Sequence, residues 1–135
     1  MAIILDTDVI IRAERAASAL DQLTASLPDE GFQVASVTVA ELWHGIERAN
    51  ARYKAEREAY VRKVLSATQI LPYTEATALE HARIWAELES AGRMIGYYDL
   101  IIAATALERG SSIATFNRHH FDSIRGLRVI EPKLS

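Results

Sequence analysis

Short runs of apolar residues alternate along this chain with longer segments that have a helical pattern. The apolar runs have the length of β-strands and cover residues 2–5, 32–35, 69–71, 112–114 and 127–130. With the helical segments between them, the order of elements is β-α-β-α-α-β-α-α-β-(α)-β. Strands that alternate with helices predict a parallel sheet covered by helices on both faces.

Three of the helical segments differ in which residues they bury. Segment 39–50 has its apolar residues at the spacing of one helix face, and segment 74–91 carries Ile84 and Leu88 on one side before a stop signal at Gly92. Segment 100–107 is apolar nearly all round, which predicts a helix at the centre of the core. The sequence shows no repeat or linker, so we expect one domain over residues 1–135.

Composition narrows the class of protein. Of the 135 residues, 50% are apolar and none is Cys, which excludes a disulfide framework, a thiolate metal site and a cysteine nucleophile. The longest apolar run is far shorter than a membrane span and the N-terminus has no basic leader, so we expect a cytoplasmic protein without a membrane segment. The net charge of −3 argues against a protein that coats DNA without specificity, but it does not exclude a nuclease.

Three acidic residues are predicted to meet at one edge of the sheet. Asp6 ends the first strand, Glu41 lies in the first turn of the helix after the second strand, and Asp99 precedes the buried helix. Acids at the carboxyl ends of parallel strands converge on one crevice. Each acid also has a simpler interpretation: Asp6 as a turn former, Asp99 as a helix N-cap, and Glu41 as part of the capping box that begins at Thr38.

A cluster of carboxylates in a partly dry site predicts a bound cation, because the charges otherwise repel one another. Oxygen ligands favour Mg²⁺ or Mn²⁺ over Zn²⁺. The histidines are therefore not expected as primary ligands; they are His44, His81, His119 and His120. Such an ion activates water and stabilises charge on phosphate, which indicates phosphodiester cleavage.

With these acids identified, the chain resembles the PIN-domain family, and within it the VapC-type toxin ribonucleases of bacterial toxin–antitoxin pairs. The resemblance is carried by residues 4–10 (ILDTDVI), 36–42 (SVTVAEL), 70–72 (ILP), 96–107 (GYYDLIIAATAL) and 114–121 (ATFNRHHF). It implies an α/β/α sandwich with a central, mainly parallel sheet of about five strands. It also implies an endoribonuclease that uses Mg²⁺ or Mn²⁺ to cleave tRNA, rRNA or mRNA, a frequent homodimer, and a small DNA-binding, VapB-like antitoxin from the adjacent gene.

The resemblance also assigns roles to single residues. Asp6, Glu41 and Asp99 match the three core acids of the family, which are catalytic and bind the metal. Asp6 and Asp99 are expected to hold the ion directly, while Glu41 either completes the ligand shell or orients the attacking water. Thr115 matches a hydroxyl residue that accompanies the site.

Other positions near the motifs are less specific. Asn117 stands where many relatives have Asp or Asn, although it also suits the N-cap of a short helix, and Thr7 is expected to support the acids together with Thr115 and Asn117. His120 departs from the Asp or Glu that relatives often have there. We interpret His120 as a surface residue rather than a phosphate contact, and Asp122 as pointing away from the site.

Contacts with RNA are predicted only as a set of candidates. Basic side chains that flank the motifs are candidates for phosphate contacts: Arg12, Arg15, Arg48, Arg93 and Arg118, with His120 as a further possibility. Tyr97, Tyr98 and Phe116 are candidates for stacking on unpaired bases, or else for core or dimer contacts. Segments 16–27 and 51–67 are candidates for a groove that accepts a partner helix.

Two other functions compete with this interpretation. Asp6-Thr-Asp8-Val fits the signature of haloacid dehalogenase-like phosphatases, with Asp6 as nucleophile and Asp8 as general acid, but the sequence lacks that family's later lysine and acidic pair. We interpret Asp8 instead as the cap of the next helix. The second alternative is a catalytically weak PIN scaffold that binds RNA or protein without cleaving it.

Overall fold

In a computed structural model, the five apolar runs form a single sheet in which every neighbouring pair of strands is parallel. The structure describes residues 2–15, 19–27 and 31–133. The strands are β1 (Ile3–Leu5), β2 (Phe32–Ala35), β3 (Gln69–Leu71), β4 (Ser112–Ala114) and β5 (Val129–Ile130). Their spatial order is β3-β2-β1-β4-β5, so the predicted parallel sheet is confirmed. The last strand is shorter than the run that predicts it.

Helices connect the strands. They are α1 (Thr7–Glu14), α2 (Ala19–Ala25), α3 (Ser36–Arg48), α4 (Ala51–Ser66), α5 (Glu75–Ala91), α6 (Tyr97–Arg109) and α7 (Arg118–Phe121). The predicted order is wrong at one point, because two helices lie between β1 and β2 instead of one. The Ala-rich sequence between α1 and α2 contains no Gly or Pro that would predict the end of a helix. The C-cap of α1 is Arg15, whose backbone N–H donates a hydrogen bond to the Arg12 carbonyl. Within the described residues, we find no helix with the length and apolarity that a membrane crossing requires.

The helix ends show where sequence signals act. α5 begins and ends as predicted: the Thr74 hydroxyl caps its first turn in a reciprocal pair with Thr77, and Gly92 closes it at φ +67°. By contrast, α3 and α6 begin about one turn before the apolar pattern that predicts them. Their first turns are partly polar, so hydrophobic periodicity does not reveal these turns.

The sheet separates two hydrophobic clusters. Along β1, Ile3 and Leu5 pack on the side of α1 to α4, while Ile4 packs on the side of α5 to α7 with Ile102 and Phe121. Successive side chains of a strand point to opposite faces, so a strand that is buried on both faces is apolar throughout. Most residues of α6 between Leu100 and Ala106 are buried, as predicted. The α/β/α sandwich is therefore confirmed.

The strand order fixes where a crevice lies. β2 and β3 extend the sheet on one side of β1, and β4 and β5 extend it on the other side. In open parallel sheets, this reversal opens a crevice beyond the carboxyl ends of the two central strands. Asp6 directly follows β1 and Thr115 directly follows β4. The backbone N–H of Asp6 donates to the Ala114 carbonyl at 2.9 Å, so the two strands are paired up to this point.

A tyrosine on α4 ties the outer helices together. The Tyr60 hydroxyl donates to the Ile10 carbonyl of α1 at 2.6 Å, and burial raises the pKa of Tyr60 to about 12, so it remains a donor. We expect Tyr60→Phe to lower the free energy of unfolding by about 1 kcal/mol, the net value of one such bond. Urea denaturation followed by circular dichroism measures this change. Tyr53→Phe, on the exposed face of the same helix, is the matched control, and equal stability of the two variants would contradict the prediction.

Candidate active site

Asp6 is the most tightly held of the three acids. It is the N-cap of α1: the Thr7 backbone N–H donates to Oδ1 at 2.9 Å, and the Thr115 hydroxyl donates to Oδ2 at 2.8 Å. The residue is only 4% exposed. Burial raises its pKa to about 7, and the charges of Asp8 and Asp99 act in the same direction, while the two hydrogen bonds oppose the shift. The fold therefore keeps a carboxylate where ionisation is unfavourable.

Glu41, on α3, is linked to Asp6 through Thr7. The Thr7 hydroxyl donates to Glu41 Oε1 at 2.7 Å and lies 3.0 Å from the hydroxyl of Thr38. Burial raises the pKa of Glu41, the bond from Thr7 lowers it, and the charge of Asp99 raises it further. Thr7, which was predicted to support the acids, thus contacts Glu41 directly.

The capping-box interpretation of Thr38 and Glu41 is wrong. α3 begins at Ser36, directly after β2, and its N-cap is Ala35, which has no capping side chain. Thr38 is therefore inside the helix, where its buried hydroxyl contacts Thr7 instead of a backbone N–H. Glu41 is left to face the crevice.

Asp99 occupies the first turn of α6. The N-cap is Gly96, so the interpretation of Asp99 as the cap is wrong. A carboxylate in the first turn is stabilised by the positive end of the helix dipole. A Cβ at position 96 would lie 3.2 Å from Asp99 Oδ2, so glycine leaves room for this carboxylate. Since the charge of Asp99 raises the pKa of both Asp6 and Glu41, the structure brings the three predicted acids together.

His120 is partly exposed, as expected of a surface residue, but it also contacts the acid cluster. Its Nδ1 is 3.0 Å from Asp99 Oδ2, although the side chain is 40% exposed. The sequence contains a signal for this position: Phe121 is apolar and fully buried, and it anchors the short helix α7 against α6. The neighbouring His119 is exposed. The interpretation of His120 considered only that it replaces the Asp or Glu of relatives, and not that the buried Phe121 beside it fixes its position.

Asp8 does not cap α1, contrary to expectation, because Asp6 takes that position. Asp8 Oδ2 instead accepts hydrogen bonds from the Phe116 backbone N–H at 3.2 Å and from Asn117 Nδ2 at 2.9 Å. Asn117 stands at the N-cap of α7 but makes no capping bond with its side chain, while its backbone N–H donates to Thr115 Oγ1 at 3.0 Å. Asp8 and Asn117 thus tie α1 to the turn after β4.

This arrangement argues against the haloacid dehalogenase-like alternative. A general acid must reach the leaving group, but Asp8 is bonded to the turn after β4. The Asp6 carboxylate accepts hydrogen bonds from Thr7 and Thr115, and neither is the phosphate-binding lysine that such a phosphatase needs.

The residues at the site suit a hard divalent cation. Burial raises the pKa of Asp8 as well as that of Asp6, and Asp8 Oδ1 is buried without a hydrogen-bond partner among the described residues. Carboxylate and hydroxyl oxygens are ligands that Mg²⁺ and Mn²⁺ accept. In the described ranges, no group of three or more acidic or imidazole side chains is placed so that its members could together hold a metal ion. An ion would therefore need water in its shell, as Mg²⁺ commonly has.

The arginines that were predicted to contact phosphate are all exposed. Arg12 is exposed and sits over the Phe116 ring, 4.1 Å from its centroid, so Phe116 is a support for Arg12. Arg48 is exposed in the last turn of α3, and Arg15 is exposed at the end of α1. Arg93 approaches Ser123 at 3.5 Å.

Arg118 interacts with other residues of the protein. It donates to the Val129 carbonyl at 3.2 Å and pairs with Asp122 at 3.3 Å. Asp122 is exposed in this pair, which agrees with its predicted orientation away from the site. Tyr98 lines an open cleft of about 440 Å³ together with Thr7 and Glu41, and both Tyr98 and its neighbour Tyr97 are exposed.

Substitution of Gly96 tests whether the close approach of its backbone to the Asp99 carboxylate positions Asp99. We expect Gly96→Ala to slow the RNA cleavage predicted from the sequence by about tenfold, since the added Cβ forces Asp99 to move by a few tenths of an ångström. Gly45→Ala in α3 is the matched control, because a Cβ there meets nothing within 4 Å. Initial cleavage rates on one RNA measure both. Equal rates for Gly96→Ala and wild type would show that this close approach does not position Asp99.

Comparison with known proteins agrees with the geometry. The PIN domain family matches residues 3–127. Ribonuclease VapC1 of Rickettsia felis is 33% identical over 96% of this chain and 96% of its own length, and the tRNA(fMet)-specific endonuclease VapC of Shigella flexneri is 32% identical over 93% of each. The solved structure of DNA-bound VapBC from Salmonella typhimurium is similar at 27% identity and a TM-score of 0.85, covering 97% of this chain and 98% of that one. By sequence and fold, the chain belongs to the PIN-domain family, among the VapC ribonucleases.

Proposed function

We propose that this protein is the toxin of a toxin–antitoxin pair, an endoribonuclease that depends on Mg²⁺ or Mn²⁺. The observation that carries the proposal is the convergence of Asp6, Glu41 and Asp99 at the crevice between β1 and β4. Relatives named as ribonucleases and as a tRNA(fMet)-specific endonuclease support RNA as the substrate.

The acidic residues of the site would have different roles in hydrolysis. Asp6 and Asp99 would hold the ion, with Asp6 oriented by Thr7 and Thr115. When bound, the divalent ion supplies a Lewis acid that favours ionisation of water and neutralises charge on the scissile phosphate. Glu41 is hydrogen-bonded on one oxygen by Thr7, and its other oxygen is available to orient the attacking water.

The products follow from the use of water as nucleophile. The water oxygen forms a new bond to phosphorus, the bond from phosphorus to the 3′-oxygen breaks, and that oxygen takes a proton. The fragments therefore carry 5′-phosphate and 3′-hydroxyl ends, and the RNA 2′-hydroxyl takes no part. Tyr98 in the cleft and the exposed Arg12 over the Phe116 ring suit an unpaired RNA segment, which offers exposed bases and phosphates.

Partners belong to the same proposal. Solved VapBC structures of similar proteins support a VapB-like antitoxin, and we propose that this chain also forms a homodimer. A cleft between α1, α3 and α4, lined by Ile11, Leu42, Tyr60 and Val61 among others, is a candidate site for a partner helix; it involves segment 51–67 of the predicted groove but no residue of segment 16–27. Residues 16–18, part of the groove as predicted, lie outside the described residues. Coexpression with the neighbouring small reading frame should neutralise the protein and yield a stable complex.

Mapping of cleaved RNA ends tests the activity directly. The purified chain is incubated with a pool of total tRNA and rRNA in the presence of Mg²⁺, Mn²⁺ or EDTA. We expect cleavage with either ion, none with EDTA, and 5′-phosphate ends. A 2′,3′-cyclic phosphate would overturn the route through water. Binding of RNA without cleavage under all conditions would favour the alternative of a catalytically weak scaffold.

A further inference from the structure

An open cleft continues from the candidate active site beside α3. It has a volume of about 440 Å³, and residues of α1, α3 and α6 line it. These residues are Thr7, Ile11, Ala40, Glu41, His44 and Tyr98. Thr7 and Glu41 are hydrogen-bonded to each other in the candidate active site and also line the cleft. A ligand in the cleft therefore lies directly beside the candidate active site.

Two large apolar side chains are exposed in this cleft. Tyr98 is 53% exposed and Ile11 is 45% exposed. The Tyr98 ring meets the Tyr97 ring edge-on, with 6.1 Å between their centroids. Tyr97 meets the ring of the buried His81 in the same way at 6.5 Å. These aromatic contacts support the Tyr98 ring, so a flat ligand can pack on its exposed surface at little cost in side-chain ordering.

His44 adds polar groups to the same cleft. It follows Glu41 by three residues, so the two side chains lie on the same face of α3. His44 is exposed, and within the described residues its ring nitrogens have no hydrogen-bond partner. A neutral imidazole has one donor and one acceptor. His44 is therefore free to form hydrogen bonds with a ligand in the cleft.

The charge of the cleft indicates which part of an RNA it suits. None of the described residues that line it is Lys or Arg, and Glu41 is acidic. A phosphate group is negatively charged and is commonly bound by Arg or Lys, so this surface does not suit it. A nucleobase instead has two apolar faces that stack on aromatic rings and a polar edge that forms hydrogen bonds. Tyr98, Ile11 and His44 match these features.

We propose that this cleft binds one unpaired base of the RNA substrate, next to the scissile phosphate. The base stacks on Tyr98 beside Ile11, and His44 hydrogen-bonds its edge. The inference rests on the proposed function, because it takes RNA as the substrate. A base inside a duplex has its faces covered by its neighbours, so the cleft restricts the substrate to single-stranded segments.

Binding of RNA without cleavage tests this proposal. The full chain in EDTA is titrated, by fluorescence anisotropy, with single-stranded oligouridylate, with oligoadenylate and with an abasic oligomer of the same length. Tyr98→Ala should bind both RNAs about tenfold more weakly than wild type, a usual effect of losing one base–aromatic stack. Tyr98→Phe keeps the ring and should bind like wild type. The abasic oligomer should bind equally to wild type and Tyr98→Ala, because it offers no base.

The role of His44 and the control are tested in the same titrations. His44→Ala should bind the better of the two RNAs about fivefold more weakly, the usual effect of losing one hydrogen bond, and should bind the abasic oligomer like wild type. Tyr53→Ala removes an exposed ring from α4 and should bind every oligomer like wild type. Circular dichroism shows whether each variant is folded. With Mg²⁺, the enzyme concentration for half-maximal cleavage should rise about tenfold in Tyr98→Ala.

The outcomes separate this inference from the function on which it rests. If wild type cleaves RNA, but Tyr98→Ala binds RNA equally well or loses affinity equally for the abasic oligomer, the base site is wrong and the proposed function stands. Duplex RNA bound as tightly as single strands by wild type also overturns the base site. If Tyr98→Ala binds RNA normally but escapes neutralisation by the coexpressed antitoxin, the cleft binds protein and the proposal is wrong. Failure of wild type to cleave any RNA overturns the proposed function itself.

Discussion

Asp99→Asn should cleave RNA at least about 10³-fold more slowly than wild type, the equivalent of about 4 kcal/mol of lost stabilisation of the transition state. Asn keeps the size of the side chain and an oxygen that accepts a hydrogen bond from His120. It removes the charge that would hold the cation. The helix dipole at the start of α6 favours an anion, so the neutral side chain also loses this interaction.

Cleavage rates under single-turnover conditions with saturating enzyme measure this loss without a contribution from product release. Asp122→Asn is the matched control, since Asp122 lies on the exposed side of α7 in a pair with Arg118. It should cleave RNA within about twofold of wild type, because an exposed ion pair contributes little. A folded Asp99→Asn protein with nearly normal activity would exclude Asp99 from the reaction.

The parts of this structure that follow from periodicity could be predicted from the sequence. The central strands β1 and β4 lie within their apolar runs because a strand buried on both faces has few polar residues. The edge strands β3 and β5 also lie within apolar runs, although they are less buried. The order of the strands places Asp6, Glu41 and Asp99 at one edge, and the charge of Asp99, which raises the pKa of both Asp6 and Glu41, agrees with that placement. These predictions required only the alternation of elements and the rule for parallel sheets.

The choice of hydrogen-bond partner could not be predicted, because it depends on side chains far apart in sequence. Asp6 and Asp8 are both good N-caps, and the sequence favoured Asp8. The turn after β4 supplies Asn117 and the Phe116 N–H, which bind Asp8, and Thr115, which binds Asp6. These residues lie more than 100 positions away, so no local pattern distinguishes the two carboxylates.

The position of His120 also could not be predicted from the local sequence. A histidine among other polar residues has the local pattern of a surface helix, and its side chain is in fact partly exposed. Its place beside Asp99 depends on how α7 packs on α6, through Phe121. Tertiary packing, rather than local sequence, therefore brings a fourth ionisable group to the three acids.

A second large effect is expected on stability: in metal-free buffer at pH 8, Asp6→Asn should be more stable than wild type by about 2 kcal/mol. The pKa of Asp6 is raised from 3.8 to about 7 in the folded protein. The folded state therefore keeps a proton between these values that the unfolded state has lost, and stability falls as the pH rises through that range. Asn carries no charge and avoids this loss, although it forfeits the stronger hydrogen bonds that Thr7 and Thr115 donate to a carboxylate.

Urea denaturation at pH 5 and pH 8, with EDTA or with Mg²⁺, measures the predicted pattern. The advantage of Asp6→Asn should shrink at pH 5, where Asp6 of wild type is protonated. Mg²⁺ at pH 8 should stabilise wild type more than the variant, because a ligand that binds the folded state shifts unfolding by mass action. Asp21→Asn, an exposed acid on α2, should behave like wild type throughout. If Asp6→Asn is less stable than wild type at pH 8 without metal, the buried charge is compensated by the protein itself, and the physical reason for a cation at this site disappears.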